Sequence, residues 1–260
     1  MNPWIQFLGL FQREIARFFK VPLQTIGAPI VNAFLYLLIF GVNLGRAIQP
    51  NAPFSYLTFL TSGLIAMSMI RNTFDNATSS IMGQKYVNEL QEHRTAPLSL
   101  QQLCIARGAA CLVRGGLVAG MTYLVGQLFS YVFEKKFFAI QEPFLFLYFS
   151  ILGGLTFAYL GIAIGMWSKT FEHVGAISML LLLPLIYLGG VFFSLKGIHP
   201  LWEILSYLNP LYYIIDGIRF GILGFSDISL KLASWVTLSF AIFSYCIALF
   251  SLRKGTRYIR

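Results

Sequence analysis

Charged residues are missing from long stretches of this chain. Residues 21–45, 47–70, 115–133, 143–168 and 232–252 contain no Asp, Glu, Lys or Arg, and 173–195 hold His173 as their one ionisable side chain. Each run reaches the roughly 18–20 apolar residues that an α-helix needs to cross about 30 Å of hydrocarbon. The pattern predicts an all-α membrane protein with six transmembrane helices, over about 22–44, 54–76, 106–132, 143–168, 174–194 and 231–251. Pro29 should kink the first of them, because it removes one backbone hydrogen bond. Six spans and their connections use almost the whole chain, so a single domain over 1–260 is expected.

The segments between the runs have patterns of their own. Within residues 4–20, Trp4, Phe7, Leu8, Phe11, Ile15, Phe18 and Phe19 recur at helical spacing, with Gln6, Arg13, Arg17 and Lys20 opposite. Ile5, Leu10 and Glu14 fit this division poorly. A helix with bulky aromatics on one face and cations on the other is expected to lie along the membrane surface. Arg71 and Asp75, four apart, can pair on one helix face. Residues 77–104 are the most polar part of the chain, with helix-forming content from about 80 to 94 and a stop at Pro97. Residues 198–224 are too apolar for a free loop and too interrupted to span. Pro200 can start one short helix; Asn209 caps a second with Pro210 at its first position, and Gly221 and Gly224 punctuate the end. Two half-length apolar helices predict a re-entrant external hairpin before the last span, with Asp216 and Arg219, one turn apart, as its polar tie.

Composition removes other classes. The chain is 57% hydrophobic and 11% charged, with mean hydropathy +0.71, whereas a soluble domain carries about 25% charged residues. A net charge of +9 would suggest nucleic acid in a soluble protein, but here its location decides. Six spans put both termini on one side. That side receives all the Lys and Arg residues except Arg46, Lys135, Lys136, Lys196, Arg219 and Lys231, so both termini are expected in the cytoplasm and no nucleic-acid partner is expected. Arg13, Glu14, Arg17 and Lys20 interrupt residues 1–20, which are therefore not expected to be a cleaved signal. Cys104, Cys111 and Cys246 form no CxxC pair, so neither a disulfide framework nor a zinc site is expected. Gly41/Gly45, Gly116/Gly120, Gly161/Gly165 and Gly217/Gly221 are GxxxG pairs that allow close helix approach.

The order of these elements, with Glu89-Leu90, Ala96-Pro97-Leu98-Ser99, Gly189-Gly190-Val191-Phe192-Phe193, Leu208-Asn209-Pro210-Leu211 and Asp216-Gly217-Ile218-Arg219, resembles the permease subunits of the type-2 family of ABC transporters. The likeness is greatest to the short bacterial permeases of the multidrug, antibiotic and nodulation-exporter branch. The resemblance implies a bacterial inner-membrane protein in which two permeases pair and each docks one ATP-binding subunit. It implies that residues 84–98 form a coupling helix, with Lys85, Glu89, Glu92, Arg94 and Pro97 toward the ATPase. The interfacial helix, through Arg13, Arg17 and Lys20, would brace that subunit. Asn209, Pro210, Asp216 and Arg219 would belong to an external gate. ATP and Mg would sit on the partner subunit, this chain itself holding no cofactor and no metal.

The residues agree with that division of labour. No Gly-Lys dipeptide occurs, so the chain has no P-loop, and neither HExxH nor Gly-x-Ser-x-Gly is present. The spans lack acidic residues at their centres, with Arg71, Asp75, Arg114 and His173 placed near span ends, so a proton relay is not indicated. An ATP-independent channel or ion-coupled carrier, using a backbone-carbonyl ion site invisible in sequence, is the alternative. A membrane anchor recruiting cytosolic proteins through 77–104 is a weaker one.

Overall fold

The computed structural model describes residues 3–44, 54–87, 99–195 and 199–258, and every regular element among them is helical. Helix α1 is Pro3–Phe19. Helix α2, Leu23–Asn43, is an irregular span. π-helical turns at Leu23–Gly27 and Leu37–Leu44 flank a regular segment, Ala28–Tyr36, that has Pro29 in its first turn. The expected disturbance at Pro29 is thus taken up by widened turns. Helix α3, Tyr56–Tyr86, runs unbroken for 31 residues, about 46 Å at 1.5 Å per residue. The sequence pattern places the end of this span at 76; the structure carries the helix a further ten residues.

Helix α4, Leu100–Glu134, starts at a capping box. The Ser99 hydroxyl accepts from Gln102 N at 3.2 Å, and the Gln102 side chain accepts from Ser99 N at 3.1 Å, satisfying two otherwise orphaned donors. Helix α5 is Pro143–Trp167, and α6 is Phe171–Tyr187, with a π-helical turn at Ser178–Leu182 ahead of Pro184. Helices α7, Pro200–Tyr207, and α8, Pro210–Leu223, precede the last helix, α9, Leu230–Tyr258. Among the described residues four helices are both long and apolar enough to cross a membrane: α2, α4, α5 and α9.

Helix α3 is the central post, packed against α4, α5 and α8, with α9 against the far side of α5. Small residues set these approaches. A Cβ at Gly115 would fall 2.0 Å from the Thr73 hydroxyl, and one at Gly126 would fall 2.2 Å from the Thr61 methyl. Gly161 and Gly165 of α5 seat against Ala77, Phe74 and Ile81 of α3, and Gly217 and Gly221 of α8 against Phe149 and Phe146. Two of the GxxxG pairs therefore pack inside this chain; a Cβ at Gly116 or Gly120 would meet nothing within 4 Å. After α6 the chain turns at Gly190, whose φ of 79° is left-handed, and Val191 is pressed so closely on α3 that a Cβ at Gly63 would lie 2.2 Å from its carbonyl oxygen.

Candidate functional site

Helices α2, α3 and α6 enclose a cavity of about 790 Å³, with α4 contributing Arg114 and Thr122 to its floor. Its polarity follows from one face of α3: Ser68, Arg71, Asn72, Asp75, Thr78 and Ser79, at spacings of three and four, all line it. Arg71 Nε stands 3.7 Å from Asp75 Oδ2, the pairing their spacing predicts. Because α3 continues to Tyr86, Arg71 and Asp75 lie at mid-helix. Leu64 and Met67 lie toward the N-terminal end of the same face, opposite Leu182, Leu183 and Ile186 of α6. The groove thus grades from polar to apolar along its length.

Beneath the polar end lies a buried network built on α1. Glu14, 2% exposed, accepts from Ser80 Oγ at 2.7 and 2.8 Å and from Arg17 Nε at 3.2 Å, and Arg107 Nε approaches it at 3.6 Å. Arg107 also donates to the Gln84 side chain. Arg17 Nη2 donates to Asn76 Oδ1 at 2.7 Å, and that oxygen also accepts from Arg114 Nη1 at 3.1 Å. Asn76 thereby joins α1 to a side chain in the groove floor. Of the three poor fits to a surface helix, Glu14 and Leu10 are the centre of the packed face together with Phe18, and Ile5 is exposed. Trp4, Ile5, Leu8 and Phe19 remain exposed. Arg13 and Lys20 are on the exposed side, and Arg17 turns inward.

Of the residues assigned to coupling, Lys85 is described, and Glu89, Glu92, Arg94 and Pro97 lie outside the described residues. Lys85 donates to the carbonyls of Gly165, Met166 and Ser168 at 2.8, 2.5 and 2.8 Å, capping the C-terminal end of α5, where cations complement the helix dipole. Burial draws its ammonium pKa below the ordinary lysine value. The turn after that cap places Glu172 in the first turn of α6. A hydrogen bond from Thr170 and one from its own backbone N–H hold this carboxyl below the usual range.

At the other end, α8 is buried along nearly its whole length. Asn209 caps it, accepting from Leu211 N at 3.0 Å while its amide donates to Leu185 O at 2.6 Å, and Pro210 takes the first helical position. Gly224 ends it at φ 67°, whereas Gly221 lies within the helix. Asp216 and Arg219 tie the hairpin to different neighbours rather than to each other. Asp216 accepts from Ser226 Oγ at 2.5 Å, Asp227 N at 2.9 Å and Ile228 N at 3.3 Å. Arg219 lies with its guanidinium carbon 3.9 Å from the centre of the Phe59 ring and donates to Gly190 O at 2.5 Å. Three and four residues of separation allow a pair, but each side chain finds a stronger set of partners here: two backbone donors for the carboxylate, an aromatic face and a carbonyl for the guanidinium.

Sequence reasoning gave Glu14, Asn76 and Arg114 no part in a site. The signal was the periodic polar face of α3, and Arg114 as the last charge before an apolar run.

Comparison with known proteins agrees with the architecture. The sequence model of the ABC-2 type transporter family matches residues 5–223. The chain is 33% identical over 252 residues to the inner membrane transport permease YadH of Escherichia coli (strain K12), covering 97% of this chain and 96% of that one. It is 23% identical over 234 residues to nodulation protein J of Neorhizobium galegae, covering 88% and 87%. Against nodulation protein J of Rhizobium meliloti (strain 1021) it is 24% identical over 225 residues, covering 84% and 81%. An all-helical scaffold with apolar spans, a polar groove against its central helix and this match over most of its length make one assignment: the chain belongs to the ABC-2 type transporter family.

Proposed function

We propose that this chain is the six-span permease half of an ATP-driven exporter in the bacterial inner membrane, with both termini cytoplasmic. It moves a hydrophobic, amphiphilic or lipid-linked substrate out of the cytoplasm or inner leaflet. The observation that carries this reading is the groove: side chains capable of holding a solute line a cavity beside the central helix of a membrane protein. In this reading two copies face each other and substrate passes between them. Each copy docks one ATP-binding subunit through residues 84–98 and the exposed side of α1, and ATP and Mg are held by that subunit. The α7–α8 hairpin is re-entrant and closes the outer end; the burial of α8 among α3, α5 and α9 supports this over a loop skimming the headgroups.

The test is co-expression with an ATPase encoded beside this gene, followed by reconstitution into proteoliposomes. Co-purification, ATP-dependent accumulation of substrate, and uncoupling of hydrolysis from transport by Glu89→Lys or Pro97→Ala are expected. Full transport by the purified permease alone, following an imposed ion gradient, would overturn the reading in favour of a secondary carrier.

A further inference from the structure

Among the described residues, the groove floor carries more positive charge than the acidic side chains around it neutralise. Arg114 is 8% exposed, lines the cavity, and its Nε has no hydrogen-bond partner. Its Nη1 donates to Asn76 Oδ1, a neutral oxygen already shared with Arg17. Glu14 is engaged by Arg17 and Arg107. Among the described residues Asp75 is the one acidic side chain lining the cavity; it pairs with Arg71 and also lies in the field of Arg114. One carboxylate therefore serves two guanidinium groups. Arg114 is the fifteenth residue of α4, a helix long and apolar enough to cross a membrane. A buried charge left incompletely compensated on such a helix is costly.

The rest of the cavity completes a second requirement. The wall at the Arg71–Arg114 end is polar, and toward Leu64 and Met67 it meets the apolar side of α6 at Leu182 and Ile186. Resting on the reading of this groove as the substrate path, we propose that it takes an amphiphile with an anionic oxygen headgroup of the phosphate, sulfate or carboxylate class. The headgroup sits on the part of the Arg114 guanidinium that lines the cavity, with help from Arg71, and the alkyl chain lies along the apolar end. Arginine suits this role because its planar fork meets an oxyanion through two parallel hydrogen bonds.

The full-length chain in zwitterionic-lipid nanodiscs can be titrated calorimetrically with decyl phosphate, decyltrimethylammonium and inorganic phosphate, subtracting empty nanodiscs. Saturable binding of decyl phosphate is expected, at least tenfold tighter than that of either other probe. Arg114→Gln should weaken it about tenfold to a hundredfold, as loss of a charge-assisted hydrogen bond does, and leave decyltrimethylammonium unchanged. Arg114→Lys, which keeps the charge and loses the fork, should fall between, and it preserves the test if the Gln variant fails to fold. Equal binding of the two decyl probes, or undiminished binding by both variants, would overturn the proposal. Inorganic phosphate binding as tightly as decyl phosphate would overturn its amphiphile half. Binding and transport fail separately: ATP-driven transport without anion preference removes this inference alone, whereas anion binding without ATP-driven transport removes the exporter reading and leaves the site.

Discussion

Glu14→Gln tests whether α1 is locked to the bundle by charge. In the native protein the Glu14 carboxylate meets Ser80, Arg17 and Arg107 in a site from which water is excluded. Glutamine keeps the shape and one acceptor oxygen but removes the counter-charge. Removing one partner of a buried ion pair costs about 3–5 kcal/mol. The Arg17 share must be discounted because that side chain is 36% exposed, whereas Arg107 is 1% exposed. The expected loss is then about 3 kcal/mol, near the lower end of the range. At roughly 2–4 °C per kcal/mol for a domain of this size, the melting temperature of the purified permease should fall by roughly 6–12 °C. Tryptophan fluorescence during thermal unfolding in a fixed detergent reads this shift. Replacing Arg107 with Met in the Glu14→Gln background removes the charge that lost its counter-ion and should recover part of the loss, because an uncompensated buried charge is the main cost of the single variant. An unchanged melting temperature in Glu14→Gln, or a double variant no more stable than the single one, would refute the lock.

Three further outcomes follow from the packing. Gly63→Ala puts a methyl group 2.2 Å from the Val191 carbonyl oxygen, a backbone atom with little room to retreat. It should cost at least the roughly 1–3 kcal/mol of an overpacked core, seen as loss of monodisperse protein on size exclusion, while Gly116→Ala, with nothing within 4 Å, should behave as the parent. Asp216→Asn keeps an acceptor oxygen but loses the charge that draws Ser226, Asp227 and Ile228 together. It should lower stability by about 1.5–3 kcal/mol and open 224–229 to limited proteolysis. Ser99→Ala removes the α4 capping box and should cost about 1 kcal/mol, measured as a smaller melting shift than that of Glu14→Gln.

The helix content was legible from charge-free runs, because a membrane span must satisfy its own backbone and can carry few ions. The caps at Asn209 and Gly224 were legible for the same local reason: each is dictated by a donor or a φ angle that few residue types supply. The inward face of α1 was not. Glu14 looks misplaced on an amphipathic wheel, because its partners Ser80 and Arg107 are more than sixty residues away and only the tertiary fold brings them to it. Asp216 and Arg219 misled in the opposite direction: proximity along the chain suggested a pair that the turn at Gly190 and the loop after Gly224 divert to other partners.

Helix α3 shows why hydropathy alone undervalues the element that matters most. It is 31 residues long, yet it is absent from the helices apolar enough to be recognised as spans. A helix facing lipid must be apolar, but one shielded by α4, α5 and α8 faces only protein and the groove, so it can carry Ser68, Arg71, Asn72 and Asp75 on one side at little cost. The two helices that close the groove against it, α2 and α6, carry all the π-helical turns found among the described residues and a proline each, Pro29 and Pro184. Widened turns leave backbone hydrogen bonds out of register, so these walls are held less tightly than the post they face. Under the proposed reading, the polar side chains of α3 and α4 would stay in place while α2 and α6, which bring Gln24, Asn32, Tyr36 and Ser178 as well as apolar side chains to the groove, shift around them.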